Sequence, residues 1–136
     1  MSQGSTSTVA APDPRGADAA QDDDLDVRLH SPRPDTVVVW AAGPLHTRSA
    51  PLLATRVHQQ LHRAAHVVLD LSSVTSADPE ALASLATLWR TAQRTGTRLH
   101  IAVENGPLAE RIRLLGFGHD VVTGPAAAVV AALPLR

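Results

Sequence analysis

Residues 66–103 read HVVLDLSSVTSADPEALASLATLWRTAQRTGTRLHIAV. The two ends, HVVLDL (66–71) and RLHIAV (98–103), are short aliphatic runs bounded by polar residues or glycine, as strands are. Between them Ala81, Leu85, Leu88 and Ala92 recur at helical spacing, and Leu82, Ala86 and Trp89 widen the stripe. Asp78 is a strong N-cap residue and Pro79 suits the first helical position. Glu80 in the first turn gains about 0.3–1 kcal/mol from the helix dipole. Gly96 stands where a helix end takes a left-handed residue. Strand, helix and strand in this order make a parallel pair with the helix packed on the sheet.

The same alternation continues outward. LDVRLH (25–30) alternates apolar and polar, and SPRPD (31–35) breaks it with two prolines. TVVVWAA (36–42), bounded by Gly43-Pro44, suits a strand buried on both faces. Residues 49–63 have helical spacing, with Leu53, Val57 and Leu61 on one stripe, Leu52 beside it, Ser49 as N-cap and Pro51 in the first turn. After residue 103 come a short helix over 106–116 with Leu108, Ile112 and Leu115 inward, a short strand over 120–123, and an apolar helix from Pro125 to Leu133 stopped by Pro134. The expected order is β-β-α-β-α-β-α-β-α. It gives one α/β domain with a mixed sheet of four to five strands and about four helices.

Residues 1–24 are rich in Ser, Thr, Ala, Pro, Gly and Asp and carry a charge of −4. They bury too little apolar surface to offset ordering entropy, so a disordered acidic tail is expected, with the domain spanning 25–136. No apolar run approaches a membrane span and no signal-peptide pattern opens the chain, so a cytoplasmic location is expected.

Composition removes several chemistries. There is no cysteine, hence no disulfide, thiol catalysis or zinc–thiolate site. All twelve basic residues are arginine, so Schiff-base chemistry and a P-loop lysine are absent. Residues 25–136 carry only +3, and aromatics make up 2% of the chain, which leaves nucleic acid without a basic or stacking signature. His58 and His62 are four apart, with His66 following, but two ligands at helical spacing do not make a metal site. No G-x-S-x-G elbow or glycine-rich phosphate loop occurs, and the Asp22-Asp23-Asp24 cluster precedes the first strand, where a receiver-type acidic pocket does not lie. No enzyme, metal or cofactor is expected.

The order of motifs carries more. HVVLDLSSVTSAD, PEALASLATLWRTAQRTG, TRLHIAV and ENGPLAERIRLLGFGHDV, with TVVVWAAGPLHTRSAPLL upstream, resemble the STAS domain of anti-sigma factor antagonists over roughly residues 25–133. That family shows an apolar strand ending in Asp-Leu, a loop, an Asp-Ser-Ser-Gly-Leu helix start, a glycine before the next strand, and a Leu-Leu-x-x-Gly-Phe-like helix end. Asp78 matches the family's aspartate and Leu82 its leucine. Pro79 replaces the first serine, Glu80 the second and Ala81 the glycine.

The resemblance implies an exposed loop and helix start that docks an anti-sigma factor of the serine-kinase/ATPase type, with the serine replaced by Glu80 as the family's phosphosite. Glu80 cannot be phosphorylated and carries about one negative charge permanently. The expected partner-binding residues are Thr75, Ser76, Asp78, Pro79, Glu80, Ala81 and Ser84, with Gly43, Leu45 and His46 on the neighbouring loop. Ser72, Ser73, Thr75, Ser76 and Ser84 are nearby hydroxyls whose local role is loop or helix-surface hydrogen bonding. The implied function is non-enzymatic protein–protein regulation in sigma-factor control, without nucleic acid or direct membrane insertion. The family's alternative is a cytoplasmic regulatory subunit of a membrane lipid ABC transport system.

Overall fold

A computed structural model describes residues 25–116 and 121–133. The expected tail over 1–24, the start of the 120–123 strand and the stop at Pro134 lie outside these residues. The elements are β1 (Asp26–Arg33), β2 (Thr36–Leu45), α1 (Ala50–His58), β3 (His66–Ala77), α2 (Pro79–Thr95), β4 (Arg98–Val103), α3 (Pro107–Arg113), β5 (Val121–Thr123) and α4 (Ala126–Ala132). They form one α/β domain with a five-stranded mixed sheet in the order β1-β2-β3-β4-β5. β1 runs antiparallel to β2, and the other pairs are parallel.

Side-chain alternation along the strands divides the core. Val39, Val67, Leu69 and Ile101 face one side and pack with Leu53 and Val57 of α1, Leu85 and Leu88 of α2, and Ile112 of α3. Val38, Val68 and Ala102 face the other side and meet Val129 and Val130 of α4 and Leu133 after it. The C-terminal apolar helix thus covers the back of the sheet. No described helix is long and apolar enough to cross a membrane.

Several boundaries differ from expectation. β1 continues through Ser31-Pro32-Arg33 because it is an edge strand, where a proline removes no needed ladder bond, and a register shift between His30 and Arg33 absorbs the irregularity. α1 stops at His58, five residues early. Residues 59–63 continue as hydrogen-bonded turns that reach His62 at φ 77°, where the His62 N–H donates to Thr97 Oγ1 at 3.2 Å. His58 and His62 therefore do not share a helix face. His66 opens β3 and lies buried against His100, Nδ1 to Nε2 3.2 Å. Leu52, expected beside the buried stripe, is 44% exposed.

β2 and β3 run further than their apolar stretches. β2 includes Gly43-Pro44-Leu45 and β3 includes Ser72 to Ala77, with Gly43 opposite Val74, Pro44 opposite Ser76 and Leu45 opposite Ala77. Backbone pairing carries these polar residues as strand where side-chain pattern alone reads loop. The register shifts between Trp40 and Ala42 and again between Gly43 and Pro44. Gly43 has φ 109°, a conformation that favours glycine.

Candidate functional site

The parallel ends of β2 and β3 deliver two connections to the same place: the β2–α1 loop (46–49) and the β3–α2 junction at Asp78. The Asp78 N–H donates to the Leu45 carbonyl at 3.1 Å, extending the ladder by one step. Asp78 then leaves the strand with φ −92° and ψ 164°, and its Oδ1 accepts the Ala81 N–H at 2.9 Å. This is the N-cap that the sequence suggests, with Pro79 in the first turn. At the far end Gly96 closes α2 at φ 82°.

The second oxygen of Asp78 faces the other connection. Thr47 donates its N–H to Asp78 Oδ2 at 3.1 Å. Its hydroxyl lies 3.0 Å from Glu80 Oε1 and 3.4 Å from Asp78 Oδ2. One hydroxyl proton serves one acceptor at a time, and the shorter distance favours Glu80. The two carboxylates are thus held against one loop residue. The Asp78 carboxyl is shifted below its ordinary value, chiefly by the Ala81 N–H. Partial burial opposes the shift, while the Thr47 N–H and hydroxyl and the nearby His46 reinforce it.

The loop holding Thr47 is itself fixed. Ser49 precedes α1 but makes no side-chain cap bond to it. Its hydroxyl donates to the Pro44 carbonyl at 2.9 Å and accepts the His46 N–H at 2.9 Å. His46 Nδ1 accepts the N–H groups of Arg48 and Ser49, both at 3.2 Å. From below, Arg111 of α3 donates Nη1 to the Ala77 carbonyl at 2.7 Å.

Of the expected contact residues, Thr75, Ser76, Pro79 and Glu80 are exposed, and Asp78, Ser84, Gly43 and His46 are partly so. Leu45 and Ala81 are 1% and 0% exposed and belong to the core. Their role is to place the strand end and the first helical turn, and a partner cannot touch their side chains. Ser84 Oγ donates to the Glu80 carbonyl at 3.2 Å and Ser72 Oγ to Asp70 Oδ1 at 2.6 Å, so both hydroxyls serve local structure. Thr47 and Arg111 were not legible from the linear sequence. They lie 31 or more residues from the groups they bind, and Thr47 is one position past the expected GPLH segment. Among the described residues no three His, Cys, Asp or Glu side chains converge on a metal position. A groove of ≈ 770 Å³ lies elsewhere, between β1, β2 and α4, where Arg28, His30, Trp40 and Asp70 join Val38 and Val130 in its walls.

Comparison with known proteins identifies the family and the fold. A family model described as "Mlab, STAS domain" matches residues 28–124. No curated protein matches the chain. Among solved structures, an anti-sigma factor antagonist from Mycobacterium paratuberculosis superposes with a TM-score of 0.68 at 19% identity, covering 80% of this chain and 94% of that one. The phosphorylated form of SpoIIAA, the Bacillus cell fate determinant, gives 0.64 at 11% identity, covering 78% and 97%. The murine anion transporter Slc26a9 gives 0.61 at 15% identity, with 80% of this chain and 22% of that one covered. At these identities the likeness is one of fold.

Proposed function

This chain belongs to the STAS domain family, and on that footing we propose that it is a non-enzymatic, protein-binding regulator of the anti-sigma factor antagonist kind. It acts in the cytoplasm, and its docking surface is the β3–α2 junction together with the β2–α1 loop. The partner is an anti-sigma factor of the serine-kinase/ATPase type. The observation that carries this reading is the exposed start of α2, where Glu80 accepts the Thr47 hydroxyl at 3.0 Å; the motif resemblance aligns this residue with the family's phosphoserine.

Glu80 gives that surface a permanent negative charge beside the Asp78 cap. A phosphoserine there would carry about −1.5 to −2. The charge on Glu80 is smaller, has the same sign, and no phosphatase removes it. The protein therefore works without a serine switch of its own, in a state resembling the phosphorylated one. The test is binding to a kinase-type anti-sigma factor from the same organism, comparing wild type with Glu80→Ala and Glu80→Ser.

A second reading is a regulatory subunit of a membrane lipid transport system. It is favoured by the Mlab description of the matching family. Native pull-down separates the two: recovery of a transport ATPase or permease in place of an anti-sigma factor supports the second.

A further inference from the structure

The charges of the domain are unevenly placed between its two ends. The junction lies at the C-terminal ends of β2 and β3. At the opposite end the segments 33–36, 56–66 and 90–98 meet. The Ala65 and His66 N–H groups donate to the Asp35 carbonyl, and the Arg98 N–H donates to the Ala65 carbonyl. Thr97 Oγ1 accepts the His62 N–H and donates to the Ala64 carbonyl, tying the loop after α1 to the loop after α2. These joined segments carry Arg33, Arg56, Arg63, Arg90, Arg94 and Arg98. All but Arg33 are exposed. Among the described residues their one carboxylate is Asp35, whose Oδ1 accepts the Thr36 hydroxyl at 3.0 Å. The other six described carboxylates lie on other segments.

Helix dipoles account for part of this. Arg56 and Arg94 stand in the last turns of α1 and α2, where a cation is favoured. They do not account for Arg63 or Arg90. Placing these like charges together raises self-repulsion that a polyanionic partner relieves.

We propose that this end of the domain is a docking surface for an anionic phospholipid bilayer. Among the described residues the exposed large hydrophobics are Leu52, Leu114 and Val122, none of them on these segments, so the surface has no exposed large apolar side chain of the kind that centres protein interfaces. It is built from helix C-termini, loops and strand starts, and among the described residues no recognition element is placed there to enter a nucleic-acid groove. A surface of spread arginines matches a plane of phosphates, and each arginine near an anionic leaflet strengthens binding about fivefold. Docked this way, the domain turns its junction away from the bilayer, and the partner site stays open. The proposal is independent of what binds the junction.

The test is co-sedimentation of the full chain with vesicles of phosphatidylglycerol mixed with phosphatidylcholine, against phosphatidylcholine alone. The chain is expected to sediment with the anionic vesicles only, and to be released as salt rises from about 0.05 to 0.5 M. The double variant Arg63→Gln/Arg94→Gln changes two exposed side chains and is expected to bind about 25-fold more weakly, whereas Glu80→Ala binds as wild type. No sedimentation at low salt, equal sedimentation with the neutral vesicles, or an unaffected double variant overturns the proposal. Tighter binding of a duplex oligonucleotide through the same arginines overturns it too, by assigning the surface to nucleic acid.

Discussion

Replacing Gly43 with alanine places a Cβ on a residue whose φ is 109°. L residues rarely adopt this conformation, and holding one there costs about 1–3 kcal/mol. Alanine also narrows the unfolded ensemble, which returns about 0.4–1 kcal/mol. The net expectation is a loss of about 1–2 kcal/mol, which for a domain of this size lowers Tm by about 5–15 °C. The alternative is that β2 moves to a negative φ. It would then lose one of the register shifts that bring Leu45 opposite Ala77 and Thr47 beside Asp78. Thermal melts followed by far-UV circular dichroism, with urea titrations to check that the slope is unchanged, measure the loss. Gly124→Ala is the control: its φ is not in the positive range and a Cβ there meets nothing within 4 Å, so it is expected to stay within about 0.5 kcal/mol of wild type. If Gly43→Ala melts alongside wild type and the control, the kinked strand end does not depend on glycine and the account of how the loop is positioned fails.

Thr47→Val and Glu80→Ala, singly and together, form a double-mutant cycle across the 3.0 Å contact. Both groups are exposed, so a stability coupling of about 0.5–1 kcal/mol is expected in urea titrations, and additivity would remove Thr47 from the site. The lowered Asp78 carboxyl contributes stability that is fully present above its unfolded value near 3.8 and is lost as pH falls through the lower folded value. Acid titration of Tm should therefore show a steeper decline below that pH for wild type than for Asp78→Asn, and identical slopes would refute the cap's electrostatic role. Ile101→Ala, at 0% exposure in β4, is expected to cost about 2–5 kcal/mol, whereas Leu114→Ala, at 85% exposure, stays within about 0.5 kcal/mol. Similar losses from both would show that the core is misplaced.

Where aliphatic periodicity and strong punctuation coincided, the fold was legible in the residues. The 66–103 unit is the clearest case, because Asp78, Pro79 and Gly96 mark the ends of a helix whose buried face repeats at helical spacing. The side-chain pattern of the SSVTSA segment and Gly43-Pro44 reads as loop, yet both are strand, because pairing between the two strand ends, and not side-chain hydrophobicity, keeps them extended. The early end of α1 was hidden as well: Leu61 is buried as its place in the stripe suggests, but His62 at φ 77° takes the chain out of the helix. At the site, the local cap could be read from the triplet Asp78-Pro79-Glu80, and the resemblance suggested the regulatory role proposed for it. Thr47 could not be found this way, since its contact with Glu80 depends on two parallel strands ending side by side.

The central claim is that Glu80 acts as a fixed substitute for a phosphorylated serine at the partner surface. Calorimetric titration of a serine-kinase-type anti-sigma factor with wild type, Glu80→Ala and Glu80→Ser tests it most directly. Removing one like charge from the interface is expected to tighten binding about two- to fivefold in both variants. Unchanged or weaker binding by Glu80→Ala would contradict the account and mark Glu80 as a contact that the partner uses.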